Sequence, residues 1–224
     1  MITVLFDIDG TLLRARGAGL AAIQQTMQEM FGVSDLPQVS VHGRTDCGIL
    51  QDFFKPFGLS FEEHRDAFLE SYCRHLRGRL PEFPGHVLPG VVALLERLAG
   101  DENMALGLVT GNCRKAAQLK IEHFELTPYF CGLGGYGDNS ANRDDVARDA
   151  VRAVRNRWPE RYDPSHVWVI GDTVNDITCA RAISAKAMVV ETGGCTAEEL
   201  KLESPDICLP NLTDIEIVLE ALRS

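Results

Sequence analysis

Two carboxylates, Asp7 and Asp9, flank a single isoleucine directly after the apolar run Ile2 to Phe6, in the stretch Asp7-Ile8-Asp9-Gly10-Thr11. A strand's period of two puts both side chains on one side, about 7 Å apart along the backbone at roughly 3.3 Å per residue. Turned inward to about 4 Å, at an effective dielectric near ~20, they would repel by about 4 kcal/mol. A cation, or a proton shared with a substrate, relieves that cost. A turn cap is the plainer alternative, but it needs only one carboxylate. A second polar cluster, Thr110-Gly111-Asn112, follows the apolar run Ala105 to Val109 and precedes a helix through Ala116, Leu119 and Ile121. A hydroxyl and free backbone N–H groups at a helix N-terminus suit a phosphate-sized anion, although Thr or Asn also serves as an ordinary N-cap. The third cluster is Gly171-Asp172-Thr173-Val174-Asn175-Asp176. A helix starting near Thr173 sets Asp172 at its mouth and Asp176 one turn in, on the same face. Asp172 with Asp7 would then offer the oxygen-rich site that magnesium takes; Thr173 and Asp176 could equally form a capping box alone. A phosphoryl group in transfer also rewards a fixed cation. Arg143, just ahead of an amphipathic helix, is the best placed, unless it merely answers Asp144 and Asp145 in solvent.

The elements that must position these clusters are legible from their patterns. Apolar, β-branched runs at Ile2 to Phe6, Ala105 to Val109, Val167 to Ile170 and Ala187 to Val190 read as strands buried on both faces of a parallel sheet. Phe130 to Leu133 and Ile207 to Leu209 are weaker candidates. Between them lie helical stripes, Val91-Leu94-Leu95-Leu98 and Val146-Ala150-Val151-Val154-Trp158. Capping boxes at Thr196 with Glu199 and at Thr213 with Glu216 predict two further helix starts. Strand and helix alternate, so the fold class is α/β, a doubly wound parallel sheet of Rossmann-like form, whose site lies at the carboxyl ends of the strands. From Arg14 to Phe83 no strand is evident. Leu20, Ile23, Met27, Met30 and Phe31 keep helical spacing there, as do Phe61, Phe68, Leu69, Tyr72 and Leu76, with a capping box at Ser60 and Glu63. The chain therefore divides into a core of residues 1–13 and 84–224 and an all-helical insertion, 14–83, placed after the first strand.

Composition narrows the partners. Thirty-two Asp and Glu against 22 Lys and Arg leave a net charge of −10, which argues against nucleic acid or an anionic membrane. Seven scattered cysteines without metal-like spacing fit a reducing cytoplasm, and the N-terminal run is too short for a signal peptide. Gly132-Leu133-Gly134-Gly135-Tyr136-Gly137 satisfies G-x-G-x-x-G but does not open the first strand-to-helix unit, so a dinucleotide site is rejected. His64, Arg65, Arg74, His75, Arg77 and Arg79 point in several directions along one helix and read as a solvated face.

D-I-D-G-T at Asp7 to Thr11, V-T-G-N at Val109 to Asn112 and G-D-T-V-N-D at Gly171 to Asp176 resemble the haloacid dehalogenase superfamily of phosphohydrolases, in order and spacing over nearly the whole chain. The helical insertion looks like that superfamily's first-type cap. Within it, Gly17-Ala18-Gly19 and Gly43-Arg44-Thr45-Asp46 resemble members grouped around phosphoglycolate phosphatase. The resemblance implies that Asp7 is the nucleophile and forms an aspartyl-phosphate. It implies that Asp9 is the acid for the leaving alcohol and then the base for water. The Asp9 carbonyl would join Asp7 and Asp172 around Mg2+, with Asp176 supporting the metal through water or hydrogen bonding. Thr110 would bind the transferring phosphoryl, with Thr11, Gly111 and Asn112 on the substrate. The family commonly places a lysine as its third-motif cation; Arg143 occupies that place here, while Lys115 and Lys120 fit it less well. Arg44, in a Gly-Arg-Thr loop, would meet the non-reacting part of the substrate. Asp9 favours phosphatases and mutases over dehalogenases, and Lys55, the only lysine of the insertion, sits beside Pro56 and makes a poor Schiff-base residue. The expected function is a magnesium-dependent phosphatase acting on a small phosphorylated metabolite. The alternatives are a phosphomutase of the β-phosphoglucomutase type and a non-catalytic phospho-acceptor; monomer and homodimer stay open.

Overall fold

Strand β1 (Ile2–Phe6) is entirely apolar apart from Thr3, and the fold is organised around it. The computed structural model describes residues 1–224. After β1 the chain forms the two-residue strand β2 (Leu13–Arg14), then helices α1 (Ala18–Phe31), α2 (Asp46–Phe54) and α3 (Phe61–Arg79), and returns through β3 (His86–Val87). It continues with α4 (Val91–Ala99), β4 (Met104–Thr110), α5 (Arg114–His123), β5 (Gly134–Tyr136), α6 (Arg143–Arg157) and β6 (Val167–Gly171). The last elements are α7 (Val174–Ala182), β7 (Lys186–Val190), α8 (Ala197–Leu202), β8 (Ile207–Leu209) and α9 (Ile215–Arg223). No helix is long and apolar enough to cross a membrane.

The main sheet has the order β5-β4-β1-β6-β7-β8, and every pairing in it is parallel. Its register decides where the chemistry falls. Phe6 lies opposite Leu108 on one side and Ile170 on the other, so β1, β4 and β6 end at the same edge. Alternate residues feed two cores. Val4, Phe6, Leu108, Trp168 and Ile170 pack with α4, α5, α9 and the helical segment, while Leu5, Val109, Val167 and Val169 pack with α6, α7 and α8. This is the doubly wound α/β arrangement that strand and helix alternation predicts.

Helices α1 to α3 build an aromatic core of their own. Phe54 meets Phe31, Phe61 and Phe68 with ring centroids 5.0 to 5.5 Å apart, near edge-to-face. Thr45 caps α2 by accepting from the Gly48 amide at 3.1 Å, and Ser60 caps α3 by accepting from Glu63 N at 3.4 Å. Leu20 departs from the expected apolar stripe: it is 49% exposed and borders a cavity.

Three expectations need correction. The region from Arg14 onward is not strand-free, because Leu13–Arg14 pairs antiparallel with His86–Val87 at the root of the helical segment. The fifth strand lies at Gly134–Tyr136 rather than Phe130 to Leu133. Close approach outweighs β-propensity here: a Cβ on Gly134 would lie 2.5 Å from the Leu108 carbonyl oxygen, and one on Gly135 would collide with the Val146 carbonyl of α6. Phe130 instead turns inward, edge-on to Phe6 at 6.1 Å. Finally, α9 is capped by Asp214, which accepts from Ile217 N at 3.4 Å, because the Thr213 hydroxyl is drawn onto Asn211 Oδ1 at 2.5 Å. The box at Thr196 and Glu199 forms as read.

Candidate active site

The residue after each of β1 and β6, and the last residue of β4, bring the three polar clusters to one edge. Asp7 remains in register, its amide donating to the Ile170 carbonyl at 2.9 Å. The chain then turns at Gly10, whose φ of 92° is open to glycine and whose missing Cβ leaves room for the Asp172 carboxylate. Thr11, expected on the substrate, donates instead to Asp172 Oδ1 at 2.8 Å. Carboxylate oxygens of Asp7, Asp172 and Asp176 lie within 4.8 Å of one another, and all three residues are buried.

Asp176 is the most heavily bonded of the three. Its Oδ2 accepts from the Asp172 amide at 3.1 Å, the Thr173 amide at 2.9 Å and the Thr173 hydroxyl at 2.7 Å, so the capping box and the acidic site coexist. Arg143 answers this negative charge. Its guanidinium lies 2.5 Å from Asp176 Oδ1 and 2.9 Å from Asp7 Oδ1, and also donates to the Val109 carbonyl at 3.3 Å. One guanidinium does not neutralise three buried carboxylates. Burial, together with the charges of Asp176 and Asp9, pushes Asp7 up to about 6 in spite of Arg143. Burial and then the neighbouring Asp176 and Asp7 raise Asp172 well above the carboxylate range. Hard oxygen donors crowded until they favour protons are a donor set that a small divalent cation fits. Asp7 and Asp172 each keep an oxygen unpaired by protein donors, whereas both oxygens of Asp176 are taken.

Asp9 stands apart from this trio. Its side chain is 40% exposed, and its Oδ2 receives Lys120 Nζ at 2.5 Å and Asn112 Nδ2 at 2.8 Å. Lys120 also reaches Asn112 Oδ1 at 2.6 Å. Burial alone would pull its ammonium down, yet Asp9, with Asp46 and Asp7 nearby, holds it above its ordinary value. Position in sequence favours Arg143 over Lys120 as the cation; the structure brings both to the site, on different carboxylates. A clue was available, since Lys120 falls one turn from Ala116 and Ala117 on the buried face of α5. Thr110 is fully buried behind Asn112, accepting from its Nδ2 at 2.8 Å, and Gly111 and Asn112 border the cavity.

That cavity holds about 260 Å³ between the strand ends and the helical segment. Asp7, Asp9, Lys120, Arg143 and Asp172 form its floor, and Arg16, His42, Arg44, Asp46 and Tyr72 face them from the segment. The segment is held down on the sheet by backbone bonds from Asp46 N to Gly111 O at 2.6 Å and from Cys47 N to Gly137 O at 3.1 Å. Asn175 Nδ2 adds a bond to Gly43 O at 2.9 Å. Asp46 was not singled out as a site residue in sequence; its carboxylate accepts from the Cys113 amide at 2.8 Å, and burial raises it to about 6 against the pull of Lys120. Arg44 borders the cavity, but its guanidinium is tied to its own segment by Asp52 Oδ2 at 2.7 Å and the Ser40 and Gly48 carbonyls at 3.1 Å.

Known proteins share both the sequence pattern and the architecture. Phosphoglycolate phosphatase of Chromobacterium violaceum is 25% identical over 208 residues, covering 88% of each chain. N-acetylmuramic acid 6-phosphate phosphatase of Pseudomonas aeruginosa is 28% identical over 204 residues, covering 85% of this chain and 81% of that one. The crystal structure of a hydrolase from Pseudomonas syringae superimposes with a TM-score of 0.73 over 99% of both chains at 21% identity. A family profile described as haloacid dehalogenase-like hydrolase matches residues 4–190, from within β1 to the end of β7, and the chain belongs to that family.

Proposed function

We propose that this chain is a magnesium-dependent phosphatase of a small phosphorylated metabolite, acting through an aspartyl-phosphate on Asp7. The observation that carries the reading is the division of labour between two carboxylates at one strand end. Asp7 is buried against Arg143 and lies among the acidic trio, while Asp9 faces the cavity on a Lys120 and Asn112 mount. A carboxylate oxygen of Asp7 attacks phosphorus as the bond to the leaving oxygen breaks, and Asp9 supplies the proton that oxygen takes up. Asp9 then accepts a proton from the water that attacks the same phosphorus, which frees Asp7. Asp7 and Asp172 would hold the metal with the Asp9 carbonyl, and Asp176 would steady it by fixing the Asp172 amide and Arg143. Bound there, Mg2+ would supply positive charge to the carboxylates and the phosphoryl oxygens. Arg143 anchors Asp7 from the opposite side.

Residues 14–83 would serve as the lid on the core formed by 1–13 and 84–224, excluding water and choosing the substrate. The cavity, about 260 Å³, is at the small end of ligand sites, roughly 300–1,000 Å³, which supports a small metabolite. Relatives named for phosphoglycolate and for N-acetylmuramic acid 6-phosphate support a phosphorylated metabolite as the substrate class. Seven free cysteines support action in a reducing cytoplasm.

The test is phosphate release from a panel of phosphorylated metabolites with and without Mg2+, with Asp7→Asn as control. Stoichiometric inorganic phosphate over many turnovers supports the reading. Isomerised sugar phosphate without free phosphate would instead identify a mutase, and a single phosphorylation without turnover would identify a phospho-acceptor.

A further inference from the structure

Cys73 and Cys113 are 40 residues apart in sequence, yet their Sγ atoms lie 3.9 Å apart, with both residues 1% exposed. They belong to opposite sides of the seam. Cys73 is on α3 of the helical segment, and Cys113 is the residue immediately before α5 of the core. The Cys113 amide is also the donor to Asp46, so this sulfur sits beside a contact that holds the segment down. A cleft of about 320 Å³ runs along the seam and has both cysteines in its wall, with Asp66, Glu70 and Lys115 around them. The two thiols are not equivalent. The Cys113 hydrogen bond, helped by the charge of Lys115, lowers the Cys73 thiol in spite of its burial, whereas Cys113 is raised well above the usual range. Among the cysteines whose thiols are shifted, Cys73 alone is lowered; Cys47, Cys179 and Cys208 are raised, chiefly by burial.

We propose that Cys73 and Cys113 are a redox pair that a hydroperoxide converts to a reversible disulfide, pinning the helical segment to the sheet core. The Cys73 thiolate attacks the peroxide oxygen, the O–O bond breaks, and the departing alkoxide takes a proton to leave as alcohol, giving a sulfenic acid. The Cys113 sulfur then attacks the Cys73 sulfur; the S–S bond forms, the S–O bond breaks, and water leaves with the thiol proton. Two thiols lose two electrons and two protons, and the hydroperoxide becomes alcohol and water. The sulfurs must close from 3.9 Å to about 2.05 Å. A dithiol reductant reverses the bridge. Pairing of the thiols rests on geometry alone; the consequence for turnover rests on the phosphatase reading, in which the segment must lift to exchange substrate and product.

The experiment uses the whole protein, reduced, desalted and exposed to hydrogen peroxide, then digested without reductant for peptide mass mapping. The expected result is one intramolecular peptide pair joined at Cys73 and Cys113. A raised thermal midpoint should accompany it, as a cross-link closing a long loop gives. Turnover of the best substrate should fall by about tenfold or more and return with dithiothreitol. Cys73→Ala and Cys113→Ala should each abolish the joined peptides, and the wild-type mapping needs neither variant to fold. Recovery of both cysteines as free thiols, as separate sulfinic acids or in bridges to other cysteines overturns the proposal. A bridge that leaves midpoint and turnover unchanged overturns the pinning. Because mapping and melting need no substrate, a bridge with a raised midpoint in a protein without phosphatase activity supports the pair and refutes only the functional reading.

Discussion

Asp46 offers a quantitative test of how the helical segment is held on the core. Its carboxylate is buried, it accepts from the Cys113 amide at 2.8 Å, and the cation that opposes its burial is Lys120, which is already bonded to Asp9 and Asn112. Burial raises it from the ordinary 3.8 to about 6. A raised acid binds its proton more tightly in the native state than in the unfolded chain, so stability falls as pH rises between those two values. The gap between 3.8 and about 6, at about 1.36 kcal/mol per pH unit, corresponds to a native-state cost of about 3 kcal/mol. That cost is complete above pH ~7, about half of it remains at pH ~5, and little is left below pH ~4. Asp46→Asn keeps an oxygen for the Cys113 amide and removes the charge. Urea unfolding of wild type and variant in chelator, from pH ~4 to ~8, gives the difference directly. The variant should be more stable by about 3 kcal/mol at the alkaline end, with the two curves converging toward the acid end. A constant offset across the range, or a variant less stable at high pH, would refute the argument that the segment docks on a costly buried charge.

Further predictions concern the two buried cations. Arg143→Met leaves Asp7 and Asp176 without their shared partner and should lower metal-free stability by about 3–5 kcal/mol, read as a drop in the urea midpoint, while Arg143→Lys should recover part of it. Lys120→Met removes the mount of Asp9 while leaving Asp7 and Arg143 in place. Its first-turnover release of the leaving group should fall by about 10²-fold or more for an alkyl phosphate and much less for p-nitrophenyl phosphate, whose leaving group needs little proton; equal losses for both would show that Lys120 does not act through Asp9.

Much of the architecture is readable from local pattern because each parallel strand is a short apolar run that ends in a polar cluster. Phe6, Leu108 and Ile170 align in register, so clusters identified separately in sequence converge in space. Misreadings arise where a contact distant in sequence overrides local preference. Gly134 and Gly135 form a strand because Leu108 and Val146 approach too closely for side chains, and Thr213 gives up its cap to Asn211. The same physics hides site residues. Lys120 carries no motif and gains meaning only when α5 turns its buried face toward Asp9, 111 positions away. Asp46 and Cys113 meet across 67 positions, a pairing that no periodicity announces. Arg44 and Thr11 show the converse: motif position suggests the substrate, while Asp52 and Asp172 claim their donors.

The central claim is that Asp7 carries the phosphoryl group. Rapid acid quench of the enzyme during turnover of a radiolabelled phosphomonoester with Mg2+, followed by peptide mapping, tests it most directly. The account predicts a hydroxylamine-sensitive label on the peptide containing Asp7, absent from Asp7→Asn, which also loses turnover. Phosphate release with no labelled protein, together with an Asp7→Asn variant that still turns over, would contradict it.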